Sequence, residues 1–336
     1  MESQEYTNGN LSEWTLCLAP MMKKTHRHFR FLAKLISPNI RLFTEMIPAQ
    51  TILYGNSQHH LGFSTEEKPL ALQLGTGNPA DIRQMTKIPE ILDFDEINLN
   101  CGCPSPTVQS GNFGIKLMLN PRITSECVRT LRQQIPHQIP ISIKIRLGVD
   151  NLYSYSYLSD YVGMAVQAGA SIIFVHARKA LLKINPKENR EIPNLNYDWV
   201  YRLKDDFEDT QIVINGGIKQ PNESKVHLSR VDGIMLGRIA YKNPMSLSDF
   251  ESKIFNSKVS PNLRLDVVEK YLHYTENQLK LGQKQSKLLL SLLNIFSGQK
   301  KAKEWRVLLA QQSNAKSISL EQIFNKANEI HVTNNS

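Results

Sequence analysis

Several features are scarce or missing in this 336-residue sequence, and each absence narrows the class of protein. Only four residues are cysteine, and their uneven spacing does not form a disulfide framework, which fits a reducing compartment. No run of 18 or more apolar residues occurs, so we expect no membrane span. Residues 1–14 carry three Glu and no Lys or Arg, unlike a signal or transit peptide. These absences predict a cytoplasmic protein.

Acidic residues are outnumbered, since 31 Asp and Glu face 40 Lys and Arg, a formal net charge of +9. Residues 246–336 carry 13 basic and 8 acidic residues, a net of +5, whereas the longer segment before them has a net of +4. A basic excess that is denser at one end suits a polyanionic partner such as RNA. A solvated basic surface explains the charge alone equally well.

Eight short apolar runs recur over the first 240 residues, and helix-like stretches lie between them. The runs lack polar alternation, as strands buried on both faces do. Predicted strands are 16–19, 42–47, 70–74, 96–100, 141–147, 171–176, 211–215 and 233–236, and predicted helices are 26–36, 79–92, 123–134, 155–168, 197–205 and 222–228. This alternation predicts a (β/α)₈ TIM barrel. A doubly wound open sheet is the alternative, but the sequence has no GxGxxG dinucleotide fingerprint.

The pattern changes after residue 245, because residues 247–331 contain no convincing strand. Amphipathic helices are predicted at 267–281, 286–296, 303–312 and 320–330. The sequence therefore predicts an α/β TIM-barrel domain at 1–245 and a smaller all-α helical domain at 246–336.

Polar residues close the predicted strands, at the end of a barrel where active sites lie. They include Gln73, Asn98, Asn100, Lys144, Arg146, His176 and Asn215. Burying these side chains without partners would cost several kcal/mol in sum. A polar ligand bound at this face would explain them together.

Two glycine turns predict a phosphate site after the last two strands. Asn215-Gly216-Gly217 follows the seventh strand and Gly237-Arg238 follows the eighth. Loops at these positions commonly bind phosphate through backbone N–H groups that only glycine lets a ligand approach closely. Either turn alone is weak evidence, and the pair is stronger.

Lys144 should point into the barrel if Ile143 and Ile145 point outward, because side chains alternate along a strand. A cation there could stabilise the negative charge of a reduced flavin. The alternative is a structural ion pair with a barrel carboxylate such as Glu45. His176 alone would be an ordinary core histidine, but the basic sequence HARKA around it suggests a functional position.

Cys103 is the strongest candidate for a catalytic group. It lies just past a strand end, on a loop stiffened by Pro104. An unperturbed cysteine has a pKa near 8.5, so at neutral pH it is mostly a thiol and can donate a proton. Cys101 is the rival, but it still belongs to the strand end and is predicted to be a packing residue, as are Cys17 and Cys127. CxC without further Cys or His partners makes a poor metal site.

These motifs, taken in order, resemble the tRNA-dihydrouridine synthases over nearly the whole chain. The matching segments are APM (19–21), TEM (44–46), ALQLG (71–75), EINLN and GCPS (96–105), KIR (144–146), HARKA (176–180), PKENREIP (186–193), NGGI (215–218), GR (237–238) and KEWR (303–306). The segments from HARKA to PKENREIP resemble the A-type branch, which acts on D-loop uridines around position 20.

The resemblance implies an FMN-dependent enzyme that reduces uridine in tRNA to 5,6-dihydrouridine with NADPH, or NADH, as electron donor. Hydride would pass from reduced FMN to C6 of the uracil, and Cys103 would protonate C5. FMN would contact Pro20, Met21, Gln73, Lys144, His176, Asn215, Gly216, Gly217, Gly237 and Arg238. The tRNA would contact Asn100, Asn189, Arg190, Lys303 and Arg306. No metal and no obligate protein partner are implied.

Two other functions stay open at this point. An FMN barrel oxidoreductase acting on a free small molecule, such as a dihydroorotate dehydrogenase-like enzyme, would also use a lysine and a glycine phosphate site. It would not need a basic helical appendage, so turnover without tRNA would favour it. A non-catalytic RNA-binding barrel that has lost its flavin is the second alternative, and a yellow purified protein would exclude it.

Overall fold

The computed structural model describes residues 11–311 and 318–335 and contains one parallel sheet that curls into a barrel. Its strands are β1 (Leu16–Leu18), β2 (Leu42–Phe43), β3 (Ile47–Pro48), β4 (Leu70–Gly75), β5 (Glu96–Asn100), β6 (Ile141–Arg146), β7 (Ile172–His176), β8 (Gln211–Asn215) and β9 (Gly233–Leu236). The order β1-β9-β8-β7-β6-β5-β4-β2 places neighbours in parallel pairs. A parallel bridge between Cys17 and Arg41 links β1 to the start of β2. The TIM-barrel prediction is thereby confirmed.

The predicted second strand, 42–47, is interrupted and forms two short strands. β2 and β3 both pair with β4, in registers Leu42–Leu70 and Ile47–Leu74. Between them, Thr44 Oγ1 accepts a hydrogen bond from the Gln73 amide at 2.9 Å. A threonine side chain that takes a backbone donor of the neighbouring strand interrupts the regular ladder. The single-strand prediction was wrong for this reason.

Side-chain alternation along the strands produces two apolar layers. Outward residues such as Ile143 and Ile145 pack under the surrounding helices, in the large core. Inward residues including Phe43, Phe174 and Met235 fill the barrel as a separate cluster. The two Phe rings meet edge to face, with centroids 5.0 Å apart.

Helices connect the strands and continue past the last one. They are α1 (Arg27–Ile36), α2 (Ala49–Tyr54), α3 (Ser57–Leu61), α4 (Pro79–Met85), α5 (Pro106–Ser110), α6 (Ile115–Met118), α7 (Pro121–Gln134), α8 (Tyr155–Gln167), α9 (Tyr197–Asp206), α10 (Pro221–Leu228), α11 (Arg238–Lys242), α12 (Ser246–Phe255), α13 (Leu263–Lys280), α14 (Gln285–Leu289), α15 (Ala302–Ala310) and α16 (Leu320–Asn335).

Two predicted helices are shorter than expected. The helix predicted at 79–92 ends at Met85, and a 3-10 helix over Pro89–Asp93 follows. Proline lacks the N–H that an α-helix needs in its interior, so Pro89 starts a new element. The helix predicted at 286–296 is a five-residue α-helix, α14, followed by a 3-10 helix over Leu290–Asn294. The remaining predicted helices agree within a few residues, and Gln312, the predicted end of one, lies outside the described residues.

Helices α13 to α16 form the basic C-terminal region. α13 packs against α16 and also against α1 of the barrel, and α15 packs against α16. Trp305 is fully buried in this region, donates to the Leu292 carbonyl at 2.8 Å and meets Phe296 edge to face. α12, by contrast, packs against α10 and α11 of the barrel. A domain boundary near residue 245 stays a prediction.

Within residues 11–311 and 318–335, the helices include none with the length and hydropathy needed to cross a bilayer.

Candidate active site

A ladder of amides crosses the barrel interior below its mouth. Gln73 Nε2 donates to Asn98 Oδ1 at 2.7 Å, and Asn100 Nδ2 donates to Gln73 Oε1 at 2.9 Å. Asn98 Nδ2 donates in turn to Ser142 Oγ at 2.6 Å. Buried polar groups need such partners. The amides that the sequence left unexplained are therefore largely satisfied by one another, and Gln73 is almost fully buried in the floor of the site.

The ladder ends on a buried ion pair at the bottom of the barrel. Arg41 Nε donates to Glu96 Oε2 at 2.8 Å, and both side chains are inaccessible to solvent. Trp14 Nε1 donates to the same carboxylate at 2.9 Å, and Ser142 Oγ donates to its other oxygen. This pair lies beneath the amide ladder, away from the mouth, and so belongs to the scaffold.

Asn100 fixes the loop that carries Cys103. Its Oδ1 accepts the amides of Gly102 at 3.3 Å and Cys103 at 3.0 Å. The Cys103 carbonyl accepts the Ile115 amide at 3.0 Å, which joins the loop to α6. The Cys103 side chain remains partly accessible. A proton donor requires an accessible thiol on a loop whose backbone is fixed, and this loop has both features. Asn100 therefore positions the Cys103 loop, in addition to its predicted contact with RNA.

Arg146, which the sequence placed only among the polar residues at the strand ends, holds the same loop from the other side. Its Nε donates to the Gly102 carbonyl at 3.0 Å, and its Nη1 donates to the carbonyls of Lys179 and Asn189 at 3.1 and 3.0 Å. Burial lowers the pKa of Arg146 to about 10. The side chain thereby ties the loop after β5 to the loop after β7. Arg146 lies two residues after Lys144 and therefore on the same strand face, and this spacing could have indicated its position from the sequence.

Cys101 is fully buried in the core, as predicted for a packing residue. Burial raises its pKa far above that of a free cysteine. Its thiol points at the Leu99 carbonyl, 3.7 Å away. Cys17 in β1 and Cys127 in α7 are buried as well. Of the two cysteines on this loop, Cys103 is the accessible one.

Lys144 points into the barrel, and its ammonium donates to Asn215 Oδ1 at 3.0 Å. Asn215 Nδ2 donates onward to the Met235 carbonyl at 2.7 Å. Burial, reinforced by the Arg146 charge, lowers the pKa of Lys144 to about 7. The alternative pairing with Glu45 was wrong, because that carboxylate accepts the Lys23 amide instead. A desolvated ammonium without a carboxylate is suited to a ligand that carries negative charge.

The two glycine turns line the same mouth. Gly216 and Gly217 have φ values of +107° and +79°, a region that favours glycine. A Cβ on Gly216 would lie 2.4 Å from Cδ2 of His176. Tyr197, which the sequence did not single out, donates its hydroxyl to the Gly216 carbonyl at 2.8 Å. Among the described residues, the amides of Gly217 and Gly237 donate no hydrogen bond.

Pro20 and Met21 follow β1 and adjoin the second glycine turn. The Ala19 amide donates to the Leu236 carbonyl at 2.8 Å, immediately before Gly237. A Cβ on Gly237 would meet only Ala19, at 3.9 Å, so the space in front of this backbone is open. The Met21 amide donates to Thr25 Oγ1 at 2.9 Å, which fixes the lip of the mouth.

Three arginines gather on the loops after β7 and β9. Arg238 pairs with Glu191 at 2.7 Å and also donates to the Arg190 carbonyl at 3.1 Å. Nε of Arg178 and Nε of Arg190 are buried without a hydrogen-bond partner. The pKa of Arg190 is lowered by burial and by Arg238, and is raised in part by Cys103. Because Arg146 bonds the carbonyls of both Gly102 and Asn189, the backbone before Arg190 adjoins the Cys103 loop, and Arg190 has donor capacity for an anion.

Asn189 has a structural role in the loop after β7, and its predicted RNA contact stays a prediction. The residue is fully buried. Its Nδ2 donates to the carbonyls of Leu181 and Ile184 at 2.7 and 3.0 Å, and its Oδ1 accepts the Leu181 amide at 2.7 Å. All polar atoms of this side chain are used to fold the loop. Asn189 shapes the loop that presents its neighbour Arg190.

Lys303 and Arg306 lie on α15 and are exposed. Their three-residue spacing places them on one helix face. They belong to the C-terminal region and not to the barrel mouth, so they are candidates for contacts to a large polyanion.

Comparisons with known proteins match this chain over most of its length. A family model described as dihydrouridine synthase (Dus) matches residues 17–330. A Synechocystis protein named tRNA-dihydrouridine(20/20a) synthase is 43% identical over 299 residues, 89% of each chain. Proteins of that name from Shewanella oneidensis and Escherichia coli K12 are 38% and 41% identical and cover 92% and 88% of this chain, and 92% and 86% of their own length.

A solved structure titled morphinone reductase in complex with tetrahydroNAD has the same fold. Its TM-score is 0.50 at 10% sequence identity, covering 73% of this chain and 87% of the other. At this identity the likeness concerns the barrel architecture alone.

Proposed function

The chain belongs to the dihydrouridine synthase family, and from that membership and the mouth geometry we propose that it reduces D-loop uridines of tRNA, at positions 20 and 20a, to 5,6-dihydrouridine. The observation that carries the proposal is the Cys103 loop. Asn100 and Arg146 hold this loop beside the Lys144 ammonium, with the thiol accessible. The basic helical region has no use in an oxidoreductase that acts on a free small molecule, whereas an enzyme that acts on tRNA can use it to bind the RNA backbone.

The residues of the mouth fit FMN. The partnerless amides of Gly217 and Gly237 suit the cofactor's phosphate, as does the open space at Gly237. Lys144 has donors beyond its bond to Asn215, which suits the electron-rich edge of a flavin ring. Pro20, Met21, Gln73 and His176 complete the proposed contacts, and Arg238 would have to leave the Glu191 pair to reach the phosphate with its side chain. When bound, FMN supplies the hydride that C6 of the uracil receives.

Cys103 completes the reduction by protonating C5. The uracil C5=C6 bond gains one hydride and one proton, while NADPH is oxidised to NADP⁺ and one proton is consumed. We assign NADPH as the donor, with NADH as the alternative. The uridine must leave its stack to enter the mouth. Arg190, with Nε unpartnered, is positioned to contact the RNA beside the thiol. A tRNA substrate supports a cytoplasmic location, and no protein partner is needed for this chemistry.

The test is dihydrouridine mapping on a defined tRNA. Purified protein, NADPH and an unmodified tRNA transcript should yield dihydrouridine at positions 20 and 20a. A transcript with cytidine at both positions should stay unmodified, and NADH should be compared at the same concentration. Turnover of free uridine at the rate seen with tRNA would instead support a small-molecule oxidoreductase.

Replacing Gly216 with valine should reduce bound flavin roughly tenfold or more, because a β-branched residue at this φ is strained and its Cβ collides with His176. The flavin-to-protein absorbance ratio measures the effect. Gly163→Ala is the matched control, since that Cβ would meet only Phe207, at 3.8 Å. Full flavin occupancy in folded Gly216→Val would mean that the phosphate binds elsewhere.

Reversing Lys303 and Arg306 to Glu should weaken tRNA binding and reduce the slope of log affinity against log salt by roughly 2, because fewer counterions are released. Flavin content and NADPH oxidation should not change. Lys225→Glu with Lys253→Glu, two exposed lysines on α10 and α12, is the control. Equal tRNA affinities for the two double variants would remove α15 from the interface.

A further inference from the structure

A second group of basic side chains lies where the barrel meets the C-terminal region. We call it the α1 cluster, and it consists of His26, Arg27, His59 and Lys287. His26 and Arg27 begin α1, His59 is on α3, and Lys287 is on α14. His59 and Lys287 are exposed. Burial lowers the pKa of His59, and the positive charges of Lys287 and Arg27 lower it further, so α1, α3 and α14 place these side chains in one region.

Two polar atoms of this cluster are buried without a partner among the described residues. His26 Nδ1 and Arg27 Nε have no hydrogen bond, and the N-terminus of α1 has no side-chain cap. Burial lowers the pKa of His26 to about 4, with further contributions from Arg30 and Lys287. Unsatisfied buried donors are costly. An acceptor-rich ligand would satisfy the Arg27 donor and the free amides of the helix terminus, and also His26 in the tautomer that carries its proton on Nδ1.

No carboxylate within the described residues neutralises the cluster. The nearby Glu67 is bound to Arg30 at 2.6 Å and caps Ser64 at 2.8 Å. The groups that act on His26, His28 and His59 are all cations or histidines. Tyr274 of α13 accepts or donates at His28 Nδ1, 2.7 Å away, and thereby anchors this end of α1 to the C-terminal region.

The cluster lies on the side of the barrel that carries Cys103. The segment into α1 follows the carboxyl end of β1, and β3 is followed by α2 and then by α3, whose C-terminal Gly62 lies close to Arg27. The strands of the described sheet are parallel, so the start of α1 lies at the same end of the barrel as the loop after β5, outside the mouth itself. A long ligand whose reacting base enters the mouth can therefore reach the α1 cluster.

We propose that the α1 cluster binds a backbone phosphate of the RNA substrate. The inference rests on the proposed function and extends it to a site outside the mouth. Imidazole, guanidinium and ammonium donors and a helix N-terminus are typical phosphate ligands. The phosphates of the nicotinamide donor share this chemistry. The RNA backbone is favoured because the cluster spans both the barrel and the basic C-terminal region, an extent that suits a polymer.

The test is the tRNA affinity of His59→Glu with Lys287→Glu in the flavin-loaded enzyme. The dissociation constant should rise roughly tenfold, and the salt slope should fall by roughly 1 to 2, relative to the unchanged protein. Flavin content and the KM for NADPH should stay the same, because neither residue lies at the mouth. Lys287→Arg should retain affinity, and Lys225→Glu with Lys253→Glu should change it little.

Unchanged tRNA affinity in the His59 and Lys287 variant would overturn the proposal, as would a raised KM for NADPH with normal tRNA binding. The latter result would assign the phosphate to the coenzyme. The binding assay does not depend on turnover. If the protein without substitutions binds tRNA but forms no dihydrouridine, the proposed function fails, whereas the proposal for the α1 cluster is still decided by the binding data.

Discussion

Cys103→Ala should slow dihydrouridine formation by about 10²–10⁴-fold, the usual loss when a positioned acid is removed. The thiol is a partly accessible group on a loop held by Asn100 and Arg146, and its removal alters neither anchor. Flavin content and flavin reduction by NADPH should therefore remain normal. Single-turnover reoxidation of the reduced flavin by unmodified tRNA isolates the affected step.

Cys101→Ala is the matched control, because this second thiol of the CxC segment is fully buried. It should react at nearly the normal rate and lose only about 1 kcal/mol of stability from the small cavity. A slow Cys101 variant beside a normal Cys103 variant would mean that the two roles are reversed. If both variants reacted normally, water or another group would supply the proton.

Arg41→Met should lower the free energy of unfolding by about 3–5 kcal/mol, because it leaves the Glu96 carboxylate buried without its cation. Arg41 also donates to Glu13 at 2.9 Å and to the Asp95 carbonyl at 3.1 Å, and methionine replaces neither bond. Equilibrium denaturation in urea, compared by midpoint and slope, measures the loss.

Lys280→Met removes an exposed pair, Lys280 with Glu276 at 3.1 Å, and is the control. Exposed pairs of this kind contribute about 0.3–0.5 kcal/mol. A loss below about 1 kcal/mol for Arg41→Met would contradict the assignment of the Arg41–Glu96 pair as an essential part of the scaffold.

The barrel could be predicted from the sequence because its strands are short apolar runs that contact apolar groups on both faces. The prediction of a single strand at 42–47 failed because a polar side chain within the apolar run interrupts the strand. Thr44 is one residue within an otherwise apolar stretch, and its hydroxyl takes the Gln73 amide only because β4 lies beside it in three dimensions. A contact between residues 29 positions apart leaves no local pattern.

The site was predicted in part. Strand alternation correctly placed Lys144 inside the barrel, and the turn chemistry of the glycines is visible in their positive φ values. Asn189 illustrates the limit, since a polar residue in a loop has the same sequence signature whether it meets a ligand or folds its own loop. The loop-holding role of Arg146 and the α1 cluster were not recognised, because both arise between segments that are distant along the chain.

The junction of β1 and β2 also determines where the barrel is easiest to open. Within the part of the chain that the structure describes, these strands are joined by the Cys17–Arg41 bridge alone, through hydrogen bonds of 2.9 Å from the Leu18 amide to the Arg41 carbonyl and from the Arg41 amide to the Leu16 carbonyl. β5 and β6, by contrast, pair over four residues. Local unfolding begins where few such bonds must break. The amide protons of Leu18 and Arg41 should therefore exchange with solvent before those of β5 and β6. Because Pro20 and Met21 directly follow β1, a ligand that contacts them would slow this exchange, and solvent isotope labelling would report occupancy of the mouth without any turnover.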